Sequence, residues 1–186
     1  ELKTVNGWTS EVTVDYTIMG VYEYGFAGKF NGGTMPASGY NGSKGGGLVL
    51  STGWGVSFTL CKTVTLPAGI YTVNVPTYNG RSSTKGTSAL SWIPEGGTAV
   101  VSDLDSYPAS KWTMDQITFT LTKETKGKLR IGYKAADGGS SNSAIPILDY
   151  VQILYVDIKA DLIATITEAS ALYGNGEGID ADLLKA

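Results

Sequence analysis

Residues 63–79 read TVTLPAGIYTVNVPTYN, and this stretch decides the fold. Val64 and Leu66 close one alternating run of apolar and polar residues. Pro67-Ala68-Gly69 interrupts it, with proline setting φ and glycine free to turn. Ile70 to Val75 then resumes the alternation. Tyr71, Val73 and Val75 fall on one face, and Thr72 and Asn74 on the other. A period of two marks half-buried antiparallel strands. The stretch is therefore expected to be a strand, a turn and a strand forming a hairpin.

The same period recurs on both sides. Val12, Val14, Tyr16 and Ile18 alternate with polar residues across Glu11–Met19, and a second, glycine-broken run covers Val21–Phe30. Leu48–Ser51, Val56–Leu66, Ser88–Ile93 and Thr98–Ser102 read as further strands. Trp112 opens a run in which Ile117, Phe119 and Leu121 alternate with threonines. Leu129, Ile131 and Tyr133 alternate in the next, and Ile145–Val156 is apolar on both faces, as in a strand near the centre of a sandwich. Many short strands with turn signals between them predict a sandwich or jelly roll. Residues 31–47, NGGTMPASGYNGSKGGG, form a long irregular loop carrying Tyr40 and Asn41. Loops of that length in a compact domain are usually functional or mobile.

From Asp157 the period shifts toward 3.6. Ile158, Leu162, Ile163, Ile166, Ala169 and Leu172 share one helical stripe, and residues 174–178 (GNGEG) end it. The expected division is a β-sandwich over 1–157 and a helical segment over 158–186. That segment is either a linker toward a further domain or a helix packed back on the sandwich.

Composition narrows the chemistry. The 186 residues include no histidine and one cysteine, Cys61, and carry a net charge of −3. Histidine-dependent triads, His-containing zinc sites and disulfide frameworks are thereby excluded. Without a basic cluster, nucleic acid is not an expected partner. No apolar run reaches the roughly 20 residues of a membrane span.

Two segments carry a family resemblance. LPAGIYTV at 66–73, and GKLRIGYKA at 127–135 followed by SAIPILDYVQILYV at 143–156, resemble the hairpin and the closing strand pair of galactose-binding-like jelly rolls. That fold serves as the carbohydrate-binding module of many secreted polysaccharide-degrading proteins. The resemblance covers roughly residues 10–157 and implies an all-β, antiparallel, galactose-binding-like β-sandwich with a short C-terminal helical tail. It implies a non-catalytic module that binds polysaccharide or glycan, within a larger exported bacterial protein that is extracellular, on the cell surface or periplasmic. Sugar rings are held by flat aromatic faces flanked by hydrogen-bonding side chains. The expected ligand-binding residues are therefore Tyr40, Asn41, Trp54, Tyr78, Asn79 and Arg81, with Tyr107 a further loop aromatic. Trp92 and Trp112 are assigned to the core. An acid in the last strand of such jelly rolls often helps hold a structural calcium. Asp149 occupies that place, with Glu23 or Glu11 as the partner acid, and Glu23 is taken as the metal residue beside it. The bland alternative is that Asp149 accepts backbone amides of the Ser140–Ser143 loop. Two other functions stay open: a structural or adhesive spacer that binds protein, and a glycoside hydrolase fragment. The hydrolase would need two of Glu11, Asp15, Glu23, Glu95, Asp103, Asp105 and Asp115 about 5 to 10 Å apart.

Overall fold

The computed structural model describes residues 4–5, 7–11, 18–30, 32–51, 57–135 and 144–173. Most of the expected strand at 11–19, the candidate Trp54, the loop at 136–143, the spacer at 174–178 and the stretch from 179 to 186 lie outside the described residues.

The strands, in order, are β1 (Thr4–Val5), β2 (Trp8–Ser10), β3 (Ile18–Glu23), β4 (Lys29–Phe30), β5 (Gly33–Thr34), β6 (Gly46–Ser51), β7 (Phe58–Leu66), β8 (Gly69–Asn79), β9 (Thr87–Ser88), β10 (Ser91–Pro94), β11 (Val100–Val101), β12 (Trp112–Leu121), β13 (Thr125–Lys134), β14 (Pro146–Leu148) and β15 (Gln152–Val156); helix α1 (Ile158–Tyr173) follows. One sheet runs β1-β2-β7-β13-β10-β11, with β9 also on β13. The other runs β12-β8-β14-β6-β3, with β15 also on β8. Every named ladder is antiparallel. The fold is the expected all-β sandwich with a short helical tail.

The main core lies between the sheets, and a second buried cluster of Phe30, Met35, Val49, Ile145 and Ile147 packs on the outer face of the second sheet. Phe58, Leu60, Trp92, Leu129 and Ile131 come from the first sheet. Leu50, Tyr71, Val73, Val75, Ile117, Phe119, Leu121 and Leu148 come from the second. Trp92 is buried as expected, stacked on Phe119 with centroids 5.1 Å apart and planes 3° apart. Gly127 faces this indole, and a Cβ there would sit 2.5 Å from it.

Three expectations about pairing are corrected. The 63–79 stretch is not a hairpin. β7 pairs with β2 and β13, whereas β8 pairs with β12, β14 and β15. Pro67 and Ala68 carry the chain from one sheet to the other, and the Tyr71 hydroxyl donates to the Pro67 carbonyl at 2.9 Å. Gly69 is required by close approach, because a Cβ would lie 2.8 Å from the Val156 carbonyl oxygen. Nor are the two closing strands a pair, since β13 and β14 lie in different sheets. Finally, the 145–156 run is broken. Leu148 is opposite Thr77 and Gln152 opposite Asn74, so three residues (149–151) face two. This is a β-bulge. β14, between β6 and β8, is buried, whereas all five residues of β15 are exposed.

Helix α1 begins where Asp157 caps it, its Oδ1 accepting the Lys159 amide at 2.8 Å. Ile158, Leu162 and Ile166 of its apolar stripe are exposed, so these residues are not packed on the sandwich.

On the outer side of the first sheet, Glu11 bridges Lys128 at 3.1 Å and Arg130 at 3.0 Å. Partial burial raises the Glu11 carboxyl. Hydrogen bonds from Cys61, Lys128 and Thr59 and the charge of Arg130 outweigh this and lower it to about 2. A depressed carboxylate stabilises the fold above its unfolded value and stops doing so as pH falls through the folded one. Stability should therefore drop by about 1 kcal/mol between roughly pH 5 and pH 2 on account of this group, a figure discounted for solvent screening. Urea titrations of wild type and Glu11→Gln across that range check it: the variant should lack this increment, and equal pH slopes would refute the assignment.

Candidate functional site

Alternation decides which residues leave the core. On β8, Tyr71, Val73 and Val75 point inward, so Thr72, Asn74, Pro76 and Tyr78 take the outer face. On β12, Asp115, Ile117 and Phe119 are inward, so Trp112, Met114, Gln116 and Thr118 are outward. Register aligns these positions in rows. Trp112 is opposite Tyr78, Met114 opposite Pro76, Gln116 opposite Asn74, and Thr118 opposite Thr72. On the other side of β8, Gln152 is opposite Asn74.

One row is an amide ladder across three strands. Gln116 Nε2 donates to Asn74 Oδ1 at 2.6 Å, and Asn74 Nδ2 donates to Gln152 Oε1 at 3.0 Å. Gln116 and Gln152, at its ends, are exposed. The ladder thus presents a carbonyl acceptor at one end and amide donors at the other. In the next row the Thr72 and Thr118 hydroxyls lie 3.2 Å apart. A cleft of about 480 Å³ opens beside the ladder, lined by Val100 to Leu104, Met114, Gln116, Ile117 and Thr118.

At the other end of this face the aromatic side chains gather around Trp112. Its indole lies 5.4 Å from the Tyr78 ring, 6.2 Å from Tyr40 and 6.2 Å from Tyr24, centroid to centroid. The Tyr40 and Tyr24 contacts are edge-on, at 73° and 80°. Trp112 Nε1 donates to the Ser38 carbonyl at 3.2 Å, fixing the ring. Trp112, Tyr78, Tyr40 and Tyr24 are all half-buried, and Tyr24 and Tyr78 also pack against a buried cluster of Phe30, Met35, Val49, Ile145 and Ile147.

The bulge after β14 places the acid that holds this cluster. Asp149 Oδ1 accepts the Tyr24 hydroxyl at 2.5 Å. Its Oδ2 accepts the Tyr40 amide at 2.9 Å and the Ser43 hydroxyl at 2.7 Å. Burial, and then the Asp149 carboxylate itself, push the Tyr24 hydroxyl well above its ordinary value, so it stays a donor. The turn at Tyr40–Gly42 is closed by the Ser43 amide on the Tyr40 carbonyl, with Asn41 left-handed at φ 51°. Gly39 permits the approach, because a Cβ there would lie 2.9 Å from Asp149 Oδ2.

These contacts do not fit a calcium at Asp149. Both carboxylate oxygens already accept hydrogen bonds, which a cation would have to displace. Glu23, the last residue of β3, is exposed, and Tyr24 after it begins a turn that the Phe26 amide closes on the Glu23 carbonyl. Among the described residues no three acidic or cysteine groups converge as a metal site would require. The amide that Asp149 does accept comes from Tyr40. Asp149→Asn should release the Tyr40 turn, since the new amide nitrogen meets donors. The expected costs are about 1–2 kcal/mol of stability and less ordering of Tyr40. Paired thermal melts and tyrosine-edited NMR spectra check this, and an unchanged Tyr40 environment would argue against the positioning role.

The expected ligand residues divide. Tyr40 and Tyr78 come together, and exposed Asn41 lies beside Tyr40. Asn79 is fully buried. Its Nδ2 donates to the Ser83 carbonyl at 2.6 Å and the Tyr107 carbonyl at 2.9 Å, and its Oδ1 accepts the Arg81 and Ile145 amides, each at 3.1 Å. It ties loops together and cannot meet a ligand. Arg81 lies beside Gly32, near the β4–β5 ribbon. Tyr107 is buried too, and Asp115 is buried against the Ser88 and Ser102 hydroxyls, each at 2.5 Å, which removes it from any surface acid pair. Trp112, assigned to the core in the sequence, is instead half-buried in the aromatic cluster outside the inter-sheet core. Tyr24, Asn74, Gln116 and Gln152 were not anticipated. Strand parity was the signal: with Ile117, Phe119 and Leu121 inward, positions 112 and 116 face out.

No protein-family model matches the chain, and no curated protein matches it. Among solved structures, the CBM22-1 xylan-binding domain from Paenibacillus barcinonensis Xyn10C superposes with a TM-score of 0.51 at 14% identity, over 84% of this chain and 90% of that one. The chain has the fold of a carbohydrate-binding module. Two further structures are similar at lower TM-scores. The enzymatically active domain of bacteriophage CBA120 tailspike protein 4 gives 0.49 at 12% identity, over 83% of this chain and 20% of that one. The CBM35 from Cellvibrio japonicus Abf62 gives 0.37 at 16% identity, over 73% of this chain and 93% of that one. Among its described residues no helix is long and apolar enough to cross a membrane.

Proposed function

We propose that this sandwich is a non-catalytic glycan-binding module of a larger exported protein, and that it binds on the outer face of its second sheet. The observation that carries the reading is the juxtaposition of the Trp112, Tyr78 and Tyr40 rings with the Gln116–Asn74–Gln152 amide ladder on one sheet face. A pyranose ring has apolar CH faces and a rim of hydroxyls. The half-buried aromatic rings, Trp112 foremost, take the former. The free ends of the amide ladder and the threonine hydroxyls take the latter. The ligand-facing groups named here are amides, hydroxyls and rings, which suits holding a glycan rather than cleaving it. Similarity of fold to carbohydrate-binding modules is consistent with this reading, although fold alone does not fix function.

Native gels containing single polysaccharides (xylan, mixed-linkage glucan, galactan and polygalacturonate) test the proposal. Retardation in at least one gel is expected. Unchanged mobility of folded protein in all of them, with no hit on a glycan array, would overturn it.

A further inference from the structure

The open edge of the second sheet is unprotected. β15 pairs with β8 along one side and with nothing on the other among the described residues. Its sequence, Gln-Ile-Leu-Tyr-Val, contains no charge, proline or glycine. Ile153, Leu154, Tyr155 and Val156 are 46%, 48%, 45% and 41% exposed. Monomeric proteins usually blunt such an edge with lysine, proline or a bulge within the strand, because it presents unpaired backbone groups to any other strand. Next to it an apolar cleft of about 350 Å³ opens between the sheets. Trp8, Val21, Leu60 and Leu148 line it, with Tyr150 and Val151, the two residues that precede β15.

We propose that two copies of this chain associate through β15, antiparallel about a two-fold axis, so that the second sheet continues from one copy into the other. The strand is its own complement in that arrangement. With Leu154 on the axis, Ile153 of each copy is opposite Tyr155 of the other, and Gln152 is opposite Val156. Aromatic residues opposite β-branched ones are favourable cross-strand pairs, and no like charges meet. The same register carries Ile158 of the second copy toward Tyr150, at the mouth of the apolar cleft. Ile158 is 39% exposed in the single chain. Antiparallel two-fold pairing is closed, so it ends at a dimer and does not propagate into a fibre. Residues opposite one another share a face, so the two amide ladders look out on the same side.

The test is light scattering and mild oxidation on the intact chain across the micromolar range, with four variants. Wild type should have twice the monomer mass of 19.5 kDa. Leu154→Lys should be monomeric with an unchanged circular dichroism spectrum. Leu154→Cys should cross-link under mild oxidation, because the two sulfurs meet on the axis; Cys61 is buried and gives little background. Val101→Cys, exposed on the β11 strand, should not cross-link. A monomeric wild type would overturn the proposal, as would a dimer that survives Leu154→Lys or a Leu154→Cys protein that stays uncross-linked. A dimer lost only with Leu162→Lys would overturn it in favour of pairing through α1.

Discussion

Trp112→Ala should lower affinity for whichever polysaccharide retards the wild type by roughly 30- to 150-fold, or about 2–3 kcal/mol, with little loss of fold. The indole is the hub of the cluster, in ring contact with Tyr24, Tyr40 and Tyr78. Its removal takes away the largest ring of the cluster and also its edge-on packing against Tyr40. It is half-buried at the start of β12, outside the core between the sheets, so stability should change far less than binding. Trp112→Phe should lie between, keeping a stacking surface but losing the hydrogen bond to Ser38. Isothermal titration with the retarding polysaccharide measures both variants. An alanine variant that binds as wild type does would remove the aromatic cluster from the site and leave the amide ladder to be tested alone.

Asn79→Ala should do the reverse, unfolding the protein readily while its folded fraction still binds. The side chain accepts two backbone amides and donates to two carbonyls, all from residues 81–145 of the chain's loops and strands. Truncation leaves four backbone groups to find other partners in a region closed to water. A loss of about 3–4 kcal/mol is expected. For a domain of this size that is a fall in melting temperature of roughly 6 to 16 °C. Calorimetry of the variant decides the matter. A normal melting temperature with lost binding would return Asn79 to the ligand site where its residue type alone had placed it.

Asn79 and Trp112 show how far the sequence could be read. Both were assigned by residue type, a polar amide to a ligand and a tryptophan to the core, and the structure reverses both. Parity already contained the answer. Tyr71, Val73 and Val75 point inward on β8, and counting on by two puts Asn79 inside and Tyr78 outside. Ile117, Phe119 and Leu121 point inward on β12, and counting back puts Asp115 inside and Trp112 outside. Tyr40, by contrast, sits in an irregular turn with no parity to count, and its place beside Trp112 depends on the Asp149 bond. Trp54 lies outside the described residues.

The alternating strands, the turn at Pro67, the switch to a helical period after Asp157 and the β-sandwich class were determined by the sequence itself, because each rests on neighbours within a few residues. Pairing was decided only by the tertiary structure. A run such as 63–79 reads the same whether its two strands share a ladder or face each other across a core, since both arrangements bury every second side chain. The bulge at 149–151 likewise has no local signature. It exists because Leu148 and Gln152 each find a partner on β8 with one residue too many between them, and that surplus turns Asp149 toward the aromatic cluster.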